Sequence, residues 1–378
     1  MKRIYLDNAA TTQVAPEVLK AMGPYFSESY GNASSLHKEG TEAYDSLERA
    51  RKIVANMIKA NPNETIFTSG GSESDNLAIK GVAFNCGSGH IITSQIEHPA
   101  VLSTCNYLEK KGFNVTYLPV DKDGFVNPED IRRVVRRDTI LVTIMHANNE
   151  IGTIQPIDEI GKICKEKNIL FHTDAVQSFG KIEIDVNKIN INLLSASSHK
   201  INGPKGIGCL FVRGAKLEPL VHGGPQEFET RAGTENVAGI VGFAKACEIA
   251  KINDKKMEKL RDKLINKLVK IKGCSLNGGR KNRLPNNVNV SFKNIEGEAL
   301  LLKLDAVGIA ASTGSACSTR SLKPSHVLTA LGLTAEEAHG SLRLSLGRYT
   351  TEREIDYTVK EIKKAVGYLR ELSPYKKI

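Results

Sequence analysis

Tryptophan is absent from this 378-residue chain, and aromatic residues together make up only 6% of it. Basic and aromatic residues are not interleaved, so the sequence offers no stacking platform for nucleic acid. Nothing approaches the 18 consecutive apolar residues of a membrane-crossing helix, and no membrane association is expected. Repeats of fixed period and low-complexity tracts are also missing. The seven cysteines are odd in number, scattered, and form no C-x-x-C pair, which argues against a disulfide framework and a zinc site. Most of them are expected to be buried small hydrophobes. The first residues carry a basic pair, Lys2 and Arg3, without the apolar core of a secretion signal, and a cytoplasmic protein is expected. What is present is ordinary for a globular protein: 40% hydrophobic and 25% charged residues. The net charge of +10 reads as a solvated, lysine-rich surface, with attraction to an acidic partner or RNA as the competing reading.

The length allows two domains or one large α/β unit. Short β-branched runs at 66–68, 90–93, 115–119, 139–145, 169–172, 193–196 and 209–212 alternate with amphipathic segments such as 156–167. This pattern predicts a largely parallel seven-stranded sheet covered by helices on both faces, with ligands beyond the carboxyl ends of the strands. Near Lys251 the pattern changes. Met257, Leu260, Leu264, Leu268 and Ile271 recur at helical spacing, 287–292 alternates as a strand, and Thr351 with Glu354 fits a capping box before a last helix. These features predict a smaller α+β domain. The expected division is 16–255 for the large domain, and 1–15 with 256–378 for the small one.

Five segments carry chemistry. Ser197-Ser198-His199-Lys200 follows an apolar run and precedes a glycine-rich stretch. A lysine just past a strand end, flanked by hydroxyl groups, suits imine formation with an aldehyde such as pyridoxal phosphate. Taken alone, such a lysine is most often a solvated surface residue. Thr173-Asp174-Ala175-Val176-Gln177 places a carboxylate where it can keep a pyridine nitrogen protonated, and Gln177 where it can bond a ring hydroxyl; a plain turn residue is the alternative. In Thr68-Ser69-Gly70-Gly71-Ser72-Glu73-Ser74-Asp75-Asn76, two glycines follow a strand and Ser72 to Asn76 can open a helix, whose N–H groups suit a phosphate. The segment matches neither common nucleotide fingerprint. Glu97-His98-Pro99 supplies a histidine able to lie over a ring and move protons, whereas His146 and His172 sit in apolar runs and read as core residues. Finally, Cys317 lies in the small-residue loop Ser312-Thr313-Gly314-Ser315-Ala316-Cys317-Ser318, with Arg320 and Lys323 close by, as reactive thiols require.

Together these segments resemble the cysteine desulfurases of the NifS/IscS type, in the class V branch of the aminotransferases. The resemblance runs from Tyr5 to Arg348. It includes Asn148-Asn-Glu-Ile-Gly152, Ser198-His-Lys-Ile-Asn-Gly-Pro-Lys-Gly-Ile-Gly208, Arg231-Ala-Gly-Thr-Glu-Asn236 and Ser312-Thr-Gly-Ser-Ala-Cys317. It implies the type I fold of pyridoxal-phosphate enzymes, with Lys200 as the imine-forming lysine. Gly71, Ser72, Ser197 and His199 would hold the phosphate. Asp174 would pair with the ring nitrogen, Gln177 with the ring oxygen, and His98 would stack on the ring. Asn149 and Arg343 would anchor the substrate carboxylate. Thr234 would reach the phosphate in a neighbouring subunit, which implies a homodimer. Pro225 stands where the family usually has a third glycine, and Glu229-Thr-Arg231-Ala232 replaces the more usual Gly-x-Arg-Ser.

The implied reaction takes sulfur from L-cysteine. Lys200 removes the Cα proton, and Cys317 receives the sulfur as a persulfide, leaving alanine. The persulfide would pass to an iron–sulfur scaffold protein or another sulfur acceptor; no resident metal is expected, and whether Cys317 ligates a cluster within a complex stays open. A selenocysteine lyase is the nearest alternative, and a non-enzymatic scaffold of the same fold the more distant one.

Overall fold

The β-branched runs are too short for helices and apolar on both faces, so they pair as strands of a covered sheet. The computed structural model describes residues 3–313 and 324–372, so the Cys317 expectation lies outside the described residues. The chain opens with the short strand β1 (Ile4–Tyr5). One sheet then gathers β2 (Thr65–Thr68), β3 (His90–Ser94), β4 (Asn114–Leu118), β5 (Thr139–Thr143), β6 (Leu170–Asp174), β7 (Leu193–Ser197) and β8 (Gly208–Val212). Its order is β2-β8-β7-β6-β5-β3-β4. The neighbours from β7 through β6, β5 and β3 to β4 pair in parallel, and β8 runs antiparallel to both β7 and β2. The expected seven-stranded, mostly parallel sheet is therefore present. Strand β6 runs on to Asp174, two residues past the expected end, so this aspartate closes the strand instead of following it.

Successive strand residues feed two separate cores, as a period of two requires. Ile91, Leu141, Leu193 and Leu210 pack under the helix Gly71–Cys86, with Leu77, Ile79 and Val82. Their sequence neighbours Ile92, Val142, Leu194 and Phe211 face the opposite layer, with Ile160, Val54 and Phe243. A third core belongs to the antiparallel sheet β12-β10-β9, built from β9 (Cys274–Leu276), β10 (Asn287–Phe292) and β12 (Ser341–Ser345), while β11 (Ile309–Ala310) pairs in parallel with β1. The helices Lys255–Leu268 and Glu352–Leu372 cover it with Leu264, Leu268, Ile355, Ile362 and Val366. The capping box forms: the Thr351 N–H donates to Glu354 Oε2 at 2.7 Å, and the Glu354 N–H to Thr351 Oγ1 at 3.3 Å.

Cys105, Cys164, Cys209 and Cys247 are buried, as expected, but Cys86 is exposed because its helix ends there at Gly87. No helix of the described residues is long and apolar enough to cross a membrane.

The segment after β8 is held by a buried ion pair. Arg51 donates to both carboxylate oxygens of Glu227 at 2.7 and 2.9 Å, and the Phe67 N–H donates to the same carboxylate at 2.7 Å. Glu227, Phe228 and Glu229 all take left-handed backbone conformations, with φ of 45°, 58° and 60°. Glu229 is the position where the resemblance pattern has glycine. Relief of roughly 1–2 kcal/mol of left-handed strain outweighs the roughly 0.5–1 kcal/mol of entropy that glycine adds to the unfolded chain. Glu229→Gly should therefore raise stability by about 0.5–1 kcal/mol, read as a higher urea midpoint at unchanged slope; a lower midpoint would show that the left-handed turn is not strained.

Candidate active site

The carboxyl ends of β2, β3, β6 and β7 converge, and each leaves a polar residue at the convergence. Strand β7 ends at Ser197 and turns tightly through Ser198, His199 and Lys200. Lys200 Nζ donates to the carbonyls of Ala9 at 2.6 Å and Ala10 at 2.8 Å. The His199 carbonyl accepts from the Thr12 N–H at 3.0 Å and from its hydroxyl at 2.8 Å. Residues 9–12 thus strap the lysine turn in place. At the end of β6, Asp174 Oδ1 accepts the Val176 N–H at 2.8 Å. Gln177 Nε2 donates at 3.0 Å to the same Ala9 carbonyl that Lys200 uses.

After β3, His98 caps the helix Pro99–Glu109; its Nδ1 accepts the Ala100 N–H at 3.1 Å, which leaves Nε2 to carry the ring proton. After β2, the helix Gly71–Cys86 begins with its first N–H groups beside Ser197. A Cβ on Gly71 would lie 2.6 Å from Val176, so only glycine lets the helix start so close to the β6 turn. Arg343 on β12 reaches in from the other sheet. It donates to the Asn149 carbonyl at 3.2 Å and to Asp7 at 2.9 Å, while its buried Nε has no partner among the described residues.

A cavity of about 290 Å³ occupies this meeting point. Gly71, Ser72, His98, Asn149, Asp174, Gln177, Ser197, His199, Lys200 and Arg343 all line it. Two expected residues are not among them. Thr234 is exposed, in the segment after the left-handed turn, and Cys317 lies outside the described residues. The lining also contains Asp75, which the sequence places in the Thr68–Asn76 segment without a role of its own. Its spacing was the available signal: Asp75 is four residues after Gly71 and therefore on the same helical face.

Burial dominates the electrostatics. It raises the Asp174 carboxyl, against the nearby charges of His98 and Lys200 and the Val176 N–H bond. It lowers His98, and Lys200 and His326 add to that while Asp174 opposes it. His199 is pushed down to about 4 by burial and by the lysines around it. Lys181, whose Nζ donates to the Gln177 carbonyl at 2.8 Å, is pushed down to about 7 by burial and by Lys200. Glu97 is fully buried; it accepts from Ser94 Oγ at 2.6 Å and the Met145 N–H at 3.0 Å, so it pins the turn that carries His98 to the end of β5.

The profile of the aminotransferase class-V family matches residues 4–358. This chain belongs to that family. It is 54% identical over 385 residues to the cysteine desulfurase IscS of Dictyoglomus turgidum, covering all of this chain and 98% of that one. It is 56% identical over 380 residues to the cysteine desulfurase IscS of Methanosarcina thermophila, covering 99% and 94%. Among solved structures it superposes on a NifS-like protein with a TM-score of 0.92, at 44% identity over 97% of this chain and 100% of that one. It also superposes on SspA in complex with cysteine, with a TM-score of 0.84, 44% identity and coverage of 92% and 100%.

Class-V enzymes use pyridoxal phosphate, and the cavity fits that group. Asp75 Oδ1 and Arg343 Nε are buried there without partners among the described residues, a glycine-opened helix start supplies N–H donors, and a lysine and an acid line the same space.

Burial and the charge of Asp174 push Glu97 up to about 8. That value lies above the unfolded one of about 4.3, so the unfolded chain binds fewer protons and stability falls as pH rises from about 4 to 8. Between about pH 5 and 8 the wild-type chain should lose more stability in urea titrations than Glu97→Gln. Parallel losses would mean that Glu97 is already ionised at the lower pH.

Proposed function

We propose that this chain is a pyridoxal-phosphate-dependent cysteine desulfurase, which converts L-cysteine to L-alanine and leaves the sulfur as a persulfide on Cys317. The observation that carries the site assignment is the meeting of Lys200, Asp174 and Arg343 around one cavity in a class-V chain. When bound, pyridoxal phosphate supplies an electron sink that acidifies the Cα–H of an amino acid joined to it.

The chain's own residues do the rest. The N–H groups opening the helix Gly71–Cys86, with Ser72, Ser197 and His199, hold the phosphate. The Asp174 carboxylate would pair with the ring nitrogen and Gln177 with the ring oxygen. His98, with its proton on Nε2, would stack on the ring. Arg343 and Asn149 orient the substrate carboxylate, the guanidinium through the buried Nε that has no partner among the described residues. Lys200 Nζ, aimed by the Ala9 and Ala10 carbonyls, takes the Cα proton. The Cys317 thiolate attacks the substrate sulfur: the carbon–sulfur bond breaks, a sulfur–sulfur bond forms, and a proton completes the alanine methyl group.

Thr234, exposed and not among the lining residues of its own cavity, serves the phosphate of a second copy, so the working form is a homodimer. We read 16–255 as the large domain, and 1–15 with 256–378 as the small one. A reaction that needs a free thiol fits a reducing compartment, hence the cytoplasm. The persulfide passes to an iron–sulfur scaffold protein or another sulfur acceptor.

Three variants test the reading. Lys200→Ala should lack the visible absorption band of the lysine-bound cofactor that the wild type shows. Cys317→Ala should keep that band and its change on adding L-cysteine, yet form alanine at least about a hundredfold more slowly; alanine formation at the full rate would sink the persulfide assignment. Arg343→Lys should keep the band and raise KM for L-cysteine by roughly 10–100-fold, the loss of a charge-assisted fork.

A further inference from the structure

Asp75 is 1% exposed and lies on the cavity-facing side of the helix Gly71–Cys86. Its Oδ1 has no hydrogen-bond partner among the described residues. The nearest ring nitrogen, His172 Nε2, is 3.7 Å away. His172 is itself fully buried between the hydroxyls of Thr143 (2.8 Å) and Ser195 (3.0 Å), and burial pushes it down to about 3, so it stays neutral and cannot serve as a counter-charge. The other charged groups that bear on Asp75 are acids, Asp174 at the end of β6 and Glu97 after β3, while the Ser195 hydroxyl bonds it. Of the cations of the site, Lys200 and the imidazole of His98 when protonated act on Asp174. Two buried carboxyl groups thus share one cavity, and only one of them has cationic company. Two like charges cannot both be held in such a place, and the group without a counter-ion takes the proton.

We propose that Asp75 is a positioning residue of this site, a neutral carboxylic acid at physiological pH whose proton leaves Asp174 as the single anion at the ring end of the cavity. Burial first, and the charge of Asp174 next, favour the protonated form of Asp75, with the Ser195 hydroxyl opposing them. The consequence for the reaction is selectivity of charge. Asp174 keeps its electrons for the ring nitrogen because its neighbour does not compete for that proton. This inference rests on the cofactor reading above for its meaning, but the protonation of Asp75 belongs to the chain alone.

The test is the infrared difference between cofactor-free wild type and Asp75→Asn at neutral pH, where the variant replaces the acid with a neutral group of the same shape. A protonated-carboxyl band present in the wild type and missing in the variant is expected; ionised-carboxylate bands in its place would overturn the proposal. In Asp174→Asn the band should disappear at a lower pH than in the wild type, because the repelling charge is gone, and an unchanged titration would overturn the coupling. That second measurement stands even where Asp75→Asn does not fold. The cofactor-free spectra do not depend on the desulfurase activity, so failure of one reading is separable from failure of the other.

Discussion

Lys200 reaches two backbone carbonyls of the strap at residues 9–12, and the arrangement of the site depends on that contact. A lysine has four rotatable bonds and a strongly hydrated head, so without fixed acceptors its amine would sample the whole cavity. The Ala9 carbonyl fixes Gln177 as well, and Thr12 bonds the His199 carbonyl, so one stretch of backbone sets three neighbouring groups. The strap is tied to the other sheet in turn: the Asn8 N–H and side chain both donate to the Ser345 carbonyl, and Asp7 pairs with Arg343. The group that removes a proton and the group that fits a carboxylate are thus held by the same few residues. A small shift of one sheet against the other moves both together.

Charge is the second constraint. Asp75, Glu97, Glu150 and Asp174 are all buried within or beside the site, and burial raises each of them. The protein differentiates them by their partners. Glu97 receives a hydroxyl and a backbone N–H, which fixes a turn. Glu150, pushed up to about 7, accepts from Ser325 Oγ at 2.5 Å, and its backbone carbonyl accepts the side-chain amides of Asn287 and Asn289. Asp174 alone among them has Lys200 and His98 nearby. Acids held neutral or by hydrogen bonds can stiffen a site, whereas Asp174, beside Lys200 and His98, can stabilise a developing positive charge.

The sequence made the strand ends legible because short apolar runs followed by Gly, Ser, Asp or His have few other uses. Asp174, Lys200, His98 and Gly71 were found that way, and the sheet brings them together since parallel strands end on one side. Asp75 stood in the segment read as a helix start but drew no role of its own, because a charged residue in the second turn of a helix reads as solvated. Only the packing of that helix on β6 and β7 shows otherwise. The Asp7–Arg343 pair spans 336 residues, and no local pattern encodes such a separation. The role of Thr234 had no signal in spacing at all and came from resemblance. The exposure of Cys86 shows the converse error, where apolar neighbours in sequence did not bury a residue at a helix end.

The turn at Glu227–Glu229 shows how a departure from a family pattern is absorbed. Three consecutive side-chain-bearing residues in the left-handed region cannot persist on local preference, because each opposes it. The turn persists because its first residue is locked from three directions: two guanidinium nitrogens of Arg51 and the Phe67 N–H hold one buried carboxylate. Arg51 also stacks over the rings of Phe67 and Phe228, at 4.9 and 5.0 Å from their centroids, so the same guanidinium steadies the second residue. Breaking a buried pair of this kind leaves an uncompensated charge and costs about 3–5 kcal/mol. That exceeds the strain of any one residue in the turn, so glycine at position 229 is a convenience here and not a requirement.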